Sequence, residues 1–252
     1  MLFAPLFSGL GTGILITAAV VPAVVLLILV YRTDRLEPEP PGLLLSLVGL
    51  GAAAILPALL AELLGGAILG WVLPNAETDP GQYFLYQLLE NFLVVALAEE
   101  GFKYLALKLR TWRSPHFNCQ YDAVVYAVFV SLGFALLENI FYVINGGIST
   151  ALLRAVLSVP GHACFGVFMG VFYGVAKRAS IYGDELRSRR WRFLGILVPV
   201  LLHGTYDFLA SADNILATLV FLAFVIGMFV ISFLQIKKSA ARDTFYHGTG
   251  TL

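Results

Sequence analysis

The stretch VALAEEGFKYLAL, residues 95–107, sets two adjacent glutamates and a lysine inside an otherwise apolar run. A charge at membrane depth costs about 2.5–3.5 kcal/mol on insertion scales, so such residues are kept where they serve a function. The pair Glu99-Glu100 can be a reaction centre, an ion path or structural glue between helices, and the rest of the chain decides among them.

Hydrophobic residues make up 59% of the 252-residue chain and charged residues only 13%. That is about half the charged fraction of an ordinary soluble domain. Runs of about 20 apolar residues recur, long enough to cross a bilayer as helices. The predicted fold class is therefore all-α, a polytopic membrane helix bundle, read as a single integral membrane domain over 1–252. About seven spans are expected, near 12–31, 43–73, 83–108, 121–145, 150–176, 193–211 and 214–236. The second is too long for one straight crossing; Pro57 and Gly65-Gly66 are expected to kink it, or its outer end to leave the membrane. The proline-rich connector RLEPEPPG, residues 35–42, stops the first. No Lys or Arg precedes the first apolar run, so it is not read as a cleavable signal peptide. Cys119 and Cys164 are expected to be unpaired thiols.

Charge sets an expected orientation. Fourteen of the sixteen Lys and Arg residues fall on one side of these spans: Arg32 and Arg35, then Lys108, Arg110 and Arg113, the six between Lys177 and Arg192, and Lys237, Lys238 and Arg242. The opposite loops carry Glu77, Asp79 and Asp213 and no cation. The positive-inside rule then puts the C-terminus in the cytoplasm and the N-terminus outside, in a multi-pass protein of the cell membrane. The formal net charge is zero and no basic stripe is present, which argues against a nucleic-acid partner.

Glu99, Glu100, His162 and His203 fall near the middle of three different expected spans, and Glu138 and Asp207 lie somewhat further out. Their convergence suggests a hydrated cavity open to the extracytoplasmic side. Lys103 stands three residues from Glu100 and four from Glu99, so it can neutralise one acid while the other faces a partner helix. His203 and Asp207 are four apart, and the acid can orient the ring. Plainer roles suit the remaining polar residues. Glu62 and Glu90 read as interhelical hydrogen-bonders or cavity walls, Asn139 as helix glue and Arg154 as an anchor or counter-ion. His116 and His247 read as surface histidines. The aromatic stripe around 165–173 reads as packing.

Four motifs carry a family resemblance: EEGFK (99–103), FALLEN (134–139), HACF (162–165) and HGTYD (203–207). In this order, each on its own span, they resemble the motifs of the PrsW family of intramembrane proteases. The segment DRLEPEPP (34–41) resembles that family's acidic connector. The motif-bearing core is about 83–211. The family looks related to CAAX prenyl endopeptidases, but the Glu138-Asn139 pair stands where those enzymes have a histidine. The resemblance implies an endopeptidase acting in the bilayer on a single-pass, anti-sigma-factor-like membrane protein, at an extracytoplasmic site.

Peptide hydrolysis needs an activated water, an oxyanion donor and a proton for the leaving amine. The expected assignment makes Glu99 the base, tuned by Glu100 and Lys103. His162 positions the water, and His203, held by Asp207, faces the oxyanion. Glu138 and Asn139 shape the site. No cofactor is favoured. The alternative is a zinc site of His162 and His203 with Glu138 or Asp207, although no HExxH pattern is present. Two other classes compete, a proton- or ion-coupled transporter and a catalytically dead helix-binding scaffold. A transporter would be expected to show internal repeats with paired broken helices, and none is visible.

Overall fold

The computed structural model describes residues 9–246, and it is helical throughout the bundle. His247 lies outside the described residues. In chain order the helices are α1 (Gly9–Thr33), α2 (Pro41–Ala53), α3 (Ile55–Val72), α4 (Pro80–Leu89), α5 (Leu97–Thr111), α6 (Asp122–Val156), α7 (Ser158–Ile181), α8 (Glu185–Ala210) and α9 (Ile215–Ala241). A π-helical segment, Glu90–Ala96, joins α4 to α5.

Among the described residues, five segments are long and apolar enough to cross a membrane: Gly13–Thr33, Pro41–Val72, Asp122–Ile181, Glu185–Ala210 and Ile215–Ala241. The stretch from α4 to α5, which carries Glu90, Glu99, Glu100, Lys103, Lys108 and Arg110, is not among them. The 60-residue segment folds back on itself. Gly166 and Gly170 of α7 lie against residues 127–128 and 123–124 of α6, and Gly174 lies against Gln120 and Ala123 at its start, so the two helices run antiparallel. Outward faces are apolar: Leu45, Leu63, Leu109, Leu216 and Ile226 are all exposed. A folded chain hides such faces in water and turns them to lipid in a bilayer.

Helix α6 is the axis of the bundle. Residues 121–135 are buried without interruption, and α1, α2, α5 and α7 pack around them. Small residues let the backbones touch, as membrane interfaces require. A Cβ on Gly133 would lie 2.2 Å from the Val48 carbonyl oxygen, and one on Gly51 would lie 2.0 Å from that of Val130.

Local chemistry explains the breaks. The expected kink in the second span falls at Ala54, between α2 and α3. Pro57 lacks an N–H and crowds the carbonyl four residues earlier, at Ala53, so the helix yields there. Gly65 does not kink. It admits the Val94 side chain, which would lie 2.7 Å from an added Cβ. Asp79 caps α4, accepting from Gly81 N at 2.8 Å, and Asn214 caps α9, accepting from Ala217 N at 2.9 Å.

The boundary expected near 145–150 takes an unforeseen form. Gly147 has φ 71° and ψ −160° inside α6, a conformation open to glycine and strained for other residues. It redirects residues 148–156 before α7 begins at Ser158. That segment carries Arg154 back to the bundle's polar centre. Both cysteines are free and buried, as expected.

Candidate active site

Four helices bring the sequence-predicted residues together. α5 supplies Glu99, Glu100 and Lys103; α6 supplies Glu138 and Asn139; α7 supplies His162; α8 supplies His203 and Asp207. The π-helical turn lies immediately before the glutamate pair. Such wide turns occur disproportionately at functional sites because they re-aim the residues that follow.

Lys103 is the hub and is fully buried. Its Nζ donates to Glu99 Oε2 at 2.9 Å, to Glu100 Oε1 at 2.8 Å and to His162 Nδ1 at 3.0 Å. The Phe134 ring lies beneath it at 4.1 Å. The expectation of one neutralised acid is thus exceeded, since Lys103 holds both. An ammonium has only hydrogens to give, so His162 Nδ1 accepts and the ring proton sits on Nε2. Nε2 lies 2.9 Å from Glu138 Oε2. Glu138 is also held by Arg154 Nη2 at 2.8 Å.

His203 has an acid on each side. Its Nδ1 lies 3.0 Å from Glu100 Oε1 and its Nε2 lies 3.2 Å from Asp207 Oδ2. This is the geometry of a ring that donates from both nitrogens. Phe165 stacks on His203 with centroids 4.7 Å apart and meets His162 edge-on at 5.8 Å. A residue of the aromatic stripe read as packing therefore belongs to the site. Its position three residues after His162, on the same helix face, was the available signal.

A cavity of about 360 Å³ opens beside this network. Glu99, Glu138, Arg154, His162, His203 and Asp207 line it, with Tyr142, Ser158, Phe165 and Tyr206. Its volume is within the usual range for ligand pockets. Much of the wall comes from residues 142–158, the end of α6 and the start of α7. The cavity therefore lies toward the end of the bundle opposite the start of α6.

The two adjacent glutamates differ. Glu99 lines the cavity. Glu100 is fully buried outside it, and its Oε2 has no hydrogen-bond partner. Asn139 does not reach the cavity either. Its Nδ2 donates to the Ala19 carbonyl at 2.8 Å and its Oδ1 accepts from Arg154 Nε at 2.8 Å. It ties α1 and Arg154 to the site. Glu90 accepts from Tyr86 on its own helix turn, and Glu62 is half-buried on α3. His116 is exposed.

Residues 39–234 match the family described as PrsW family intramembrane metalloprotease. The chain belongs to this family, whose members are proteases of the membrane. Relatives carry the name Protease PrsW. That of Bacillus subtilis (strain 168) is 35% identical over 79% of this chain and 83% of its own length. That of Oceanobacillus iheyensis is 33% identical over 89% and 95%, and that of Geobacillus kaustophilus 36% over 79% and 81%. No solved structure matches the chain.

The family description includes a metal, and the donor set can be tested against one. Single ligand atoms of Glu99, Glu100 and His162 fall within 4.8 Å of one another. Lys103 Nζ is already bonded to all three residues, so an ammonium fills the centre they share. The zinc set foreseen from sequence divides into two hydrogen-bonded pairs, His162 with Glu138 and His203 with Asp207. In this arrangement neither set fits a metal.

Proposed function

We propose that the chain is a glutamate-dependent intramembrane endopeptidase that cuts a single-pass membrane protein just outside its span. One observation carries the reading. Glu99 is the member of the acid pair that faces the cavity, while Glu100 is withdrawn to hold Lys103 and His203.

In the proposed reaction, Glu99 takes a proton from a cavity water. The water oxygen bonds to the scissile carbonyl carbon, and the carbonyl π pair moves to its oxygen. When the tetrahedral adduct collapses the C–N bond breaks, and Glu99 returns the proton to the leaving amine. His162, both of its nitrogens engaged by Lys103 and Glu138, is a positioning residue that holds the two on either side of the water's site. The oxyanion is met by His203 Nε2–H, released when substrate displaces the partly exposed Asp207. Arg154 and Asn139 are positioning residues that hold Glu138.

The proposal includes seven crossings, with α4–α5 as the charged one and α6 and α7 as two. The cationic ends face the cytoplasm. The cavity then opens outward, toward a juxtamembrane segment whose extended backbone is available for attack. A helical segment would shield its peptide groups in intrahelical bonds. The anti-sigma-factor class of substrate follows from the family resemblance.

The test is cleavage of a single-pass reporter by purified protein in liposomes, with the cut mapped by mass spectrometry. Loss of cleavage in Glu99→Gln and a cut on the extracytoplasmic side support the reading. A cut on the cytoplasmic side would move it toward CAAX-type processing. The second reading, a metalloprotease, draws on the Glu99, Glu100 and His162 group and requires Lys103 to withdraw. Stoichiometric zinc that is needed to restore chelator-treated enzyme would favour it.

A further inference from the structure

A second group of buried acids lies far from the cavity, at the end of the bundle where α1 ends and α6 begins. Asp34 follows α1, Glu39 sits in the proline-rich connector, and Asp122 opens α6. They are 5%, 3% and 1% exposed, and one ligand oxygen of each falls within 4.8 Å of the others.

No basic side chain of the described residues answers them, and the one side-chain donor beside Glu39 is the Tyr126 hydroxyl. Both Asp34 oxygens and Glu39 Oε2 are buried without a hydrogen-bond partner. Asp122 Oδ2 accepts from the backbone N–H of Asn118 and Cys119, at 3.0 and 2.7 Å. Among the described residues no Lys or Arg forms an ion pair with any of the three. Arg32 and Arg35 flank Asp34 in sequence but line a groove with Lys237 against α9. The neighbouring charges are more acids, Glu37 and Asp243. Buried carboxylates without cations are costly unless paired or metal-bound.

We propose that Asp34, Glu39 and Asp122 form a binding site for a hard divalent cation, Mg²⁺ or Ca²⁺, that clamps this end of the bundle. Three carboxylate oxygens without nitrogen or sulfur select hard cations over zinc or copper. Holding these oxygens away from water with no cation beside them is the cost that a bound ion offsets. The C-terminal segment docks beside the site: Asp243 Oδ1 accepts from Tyr121 N at 2.8 Å, and Tyr246 N donates to the Asn118 carbonyl at 2.7 Å. The cation thus joins the end of α1, the connector and the start of α6, the helix that carries Glu138 to the cavity.

The inference does not depend on the proposed chemistry, and its test uses the full-length purified chain in nanodiscs. After chelation, Mn²⁺ is titrated and followed by electron paramagnetic resonance, with Mg²⁺ and Ca²⁺ as competitors. The expected result is one Mn²⁺ per chain, displaced by Mg²⁺ or Ca²⁺. Its affinity should fall at least tenfold in Asp34→Asn and in Glu39→Gln and stay unchanged in Glu99→Gln. The stronger competitor identifies the cation. Cys119 gives a readout that needs no ligand variant, since it is 1% exposed and its N–H is bound to Asp122. In a Cys164→Ser background, Mg²⁺ or Ca²⁺ should slow its alkylation and chelator should speed it. Three results would overturn the site: no divalent binding, binding unchanged in both acid variants, or binding only of zinc and only with Cys119 present.

Discussion

Glu138 and Asp34 are both carboxylates withdrawn from solvent against the same bundle, and their surroundings differ completely. Glu138 meets Arg154 at 2.8 Å and His162 at 2.9 Å. Asp34 meets no donor at all. Across the mid-bundle cluster every acid has a basic partner: Lys103 for Glu99 and Glu100, His203 for Glu100 and Asp207. At the end of α1 the acids have each other. A cluster whose charges are matched within the protein can hold one acid ready at a cavity. A cluster whose charges are unmatched has room for a charge from outside. The contrast makes predictions that differ in size and in sign.

The largest expected effect is on turnover. Glu99→Gln keeps the shape but cannot carry a proton, and cleavage should fall by about 10³-fold with folding intact. Asp34→Asn, outside the machinery, should leave cleavage within about twofold under conditions where both proteins are fully folded. Comparable losses in the two variants, measured side by side on the same reporter, would erase the distinction between the clusters.

Lys103→Met comes next. It removes the cation shared by two buried glutamates. Breaking a buried pair by deleting one partner costs about 3–5 kcal/mol, to be read as a lowered unfolding midpoint in detergent. A stability equal to wild type would mean that the glutamates are not held as charged partners of Lys103.

These two tests rest on residues whose pairing was legible in the chain. Glu99 with Lys103 and His203 with Asp207 stand four apart, and helical geometry alone makes them neighbours. Pro57 likewise announced the break at Ala54. What stayed hidden depends on contacts between distant segments. Nothing near Asn139 points to the Ala19 carbonyl, 120 residues away. Glu100 and His203 meet across 103 residues. The acids at 34, 39 and 122 look like ordinary loop charges until the fold buries them. The Gly146-Gly147 pair reads as one more small-residue step in an apolar run, although Gly147 is the point at which α6 turns Arg154 back toward Glu138.

That turn gives an intermediate effect. Arg154→Gln should lower kcat by up to about 10²-fold, the scale of a misplaced catalytic geometry, with little change in folding. Gly147→Ala places a side chain at φ 71°, at a cost of about 1–3 kcal/mol. It should act on the same step more weakly, and Arg154→Gln should add little further loss in its background. Independent, multiplicative losses in the double variant would separate the Gly147 turn from the placement of Arg154.

The smallest expected effect has the opposite sign. In chelator, Asp34→Asn should stabilise the protein, because it removes one of several mutually repelling buried charges. About 1 kcal/mol is expected, or roughly 2–4 °C in Tm for a chain of this size. Protonation should act in the same direction. The folded Asp34 carboxyl sits at about 6 against an ordinary 3.8, and Glu39 at about 7 against 4.5. Between those limits the folded chain holds protons that the unfolded chain has released. This contribution to stability is therefore full at acid pH and falls as pH rises from about 4 to about 7. Mg²⁺ or Ca²⁺ should flatten that fall in the wild type and have less effect in Asp34→Asn. If the chelated wild type instead gained stability across the same interval relative to Asp34→Asn, the acids would be ionised and satisfied within the protein. The two clusters would then be alike.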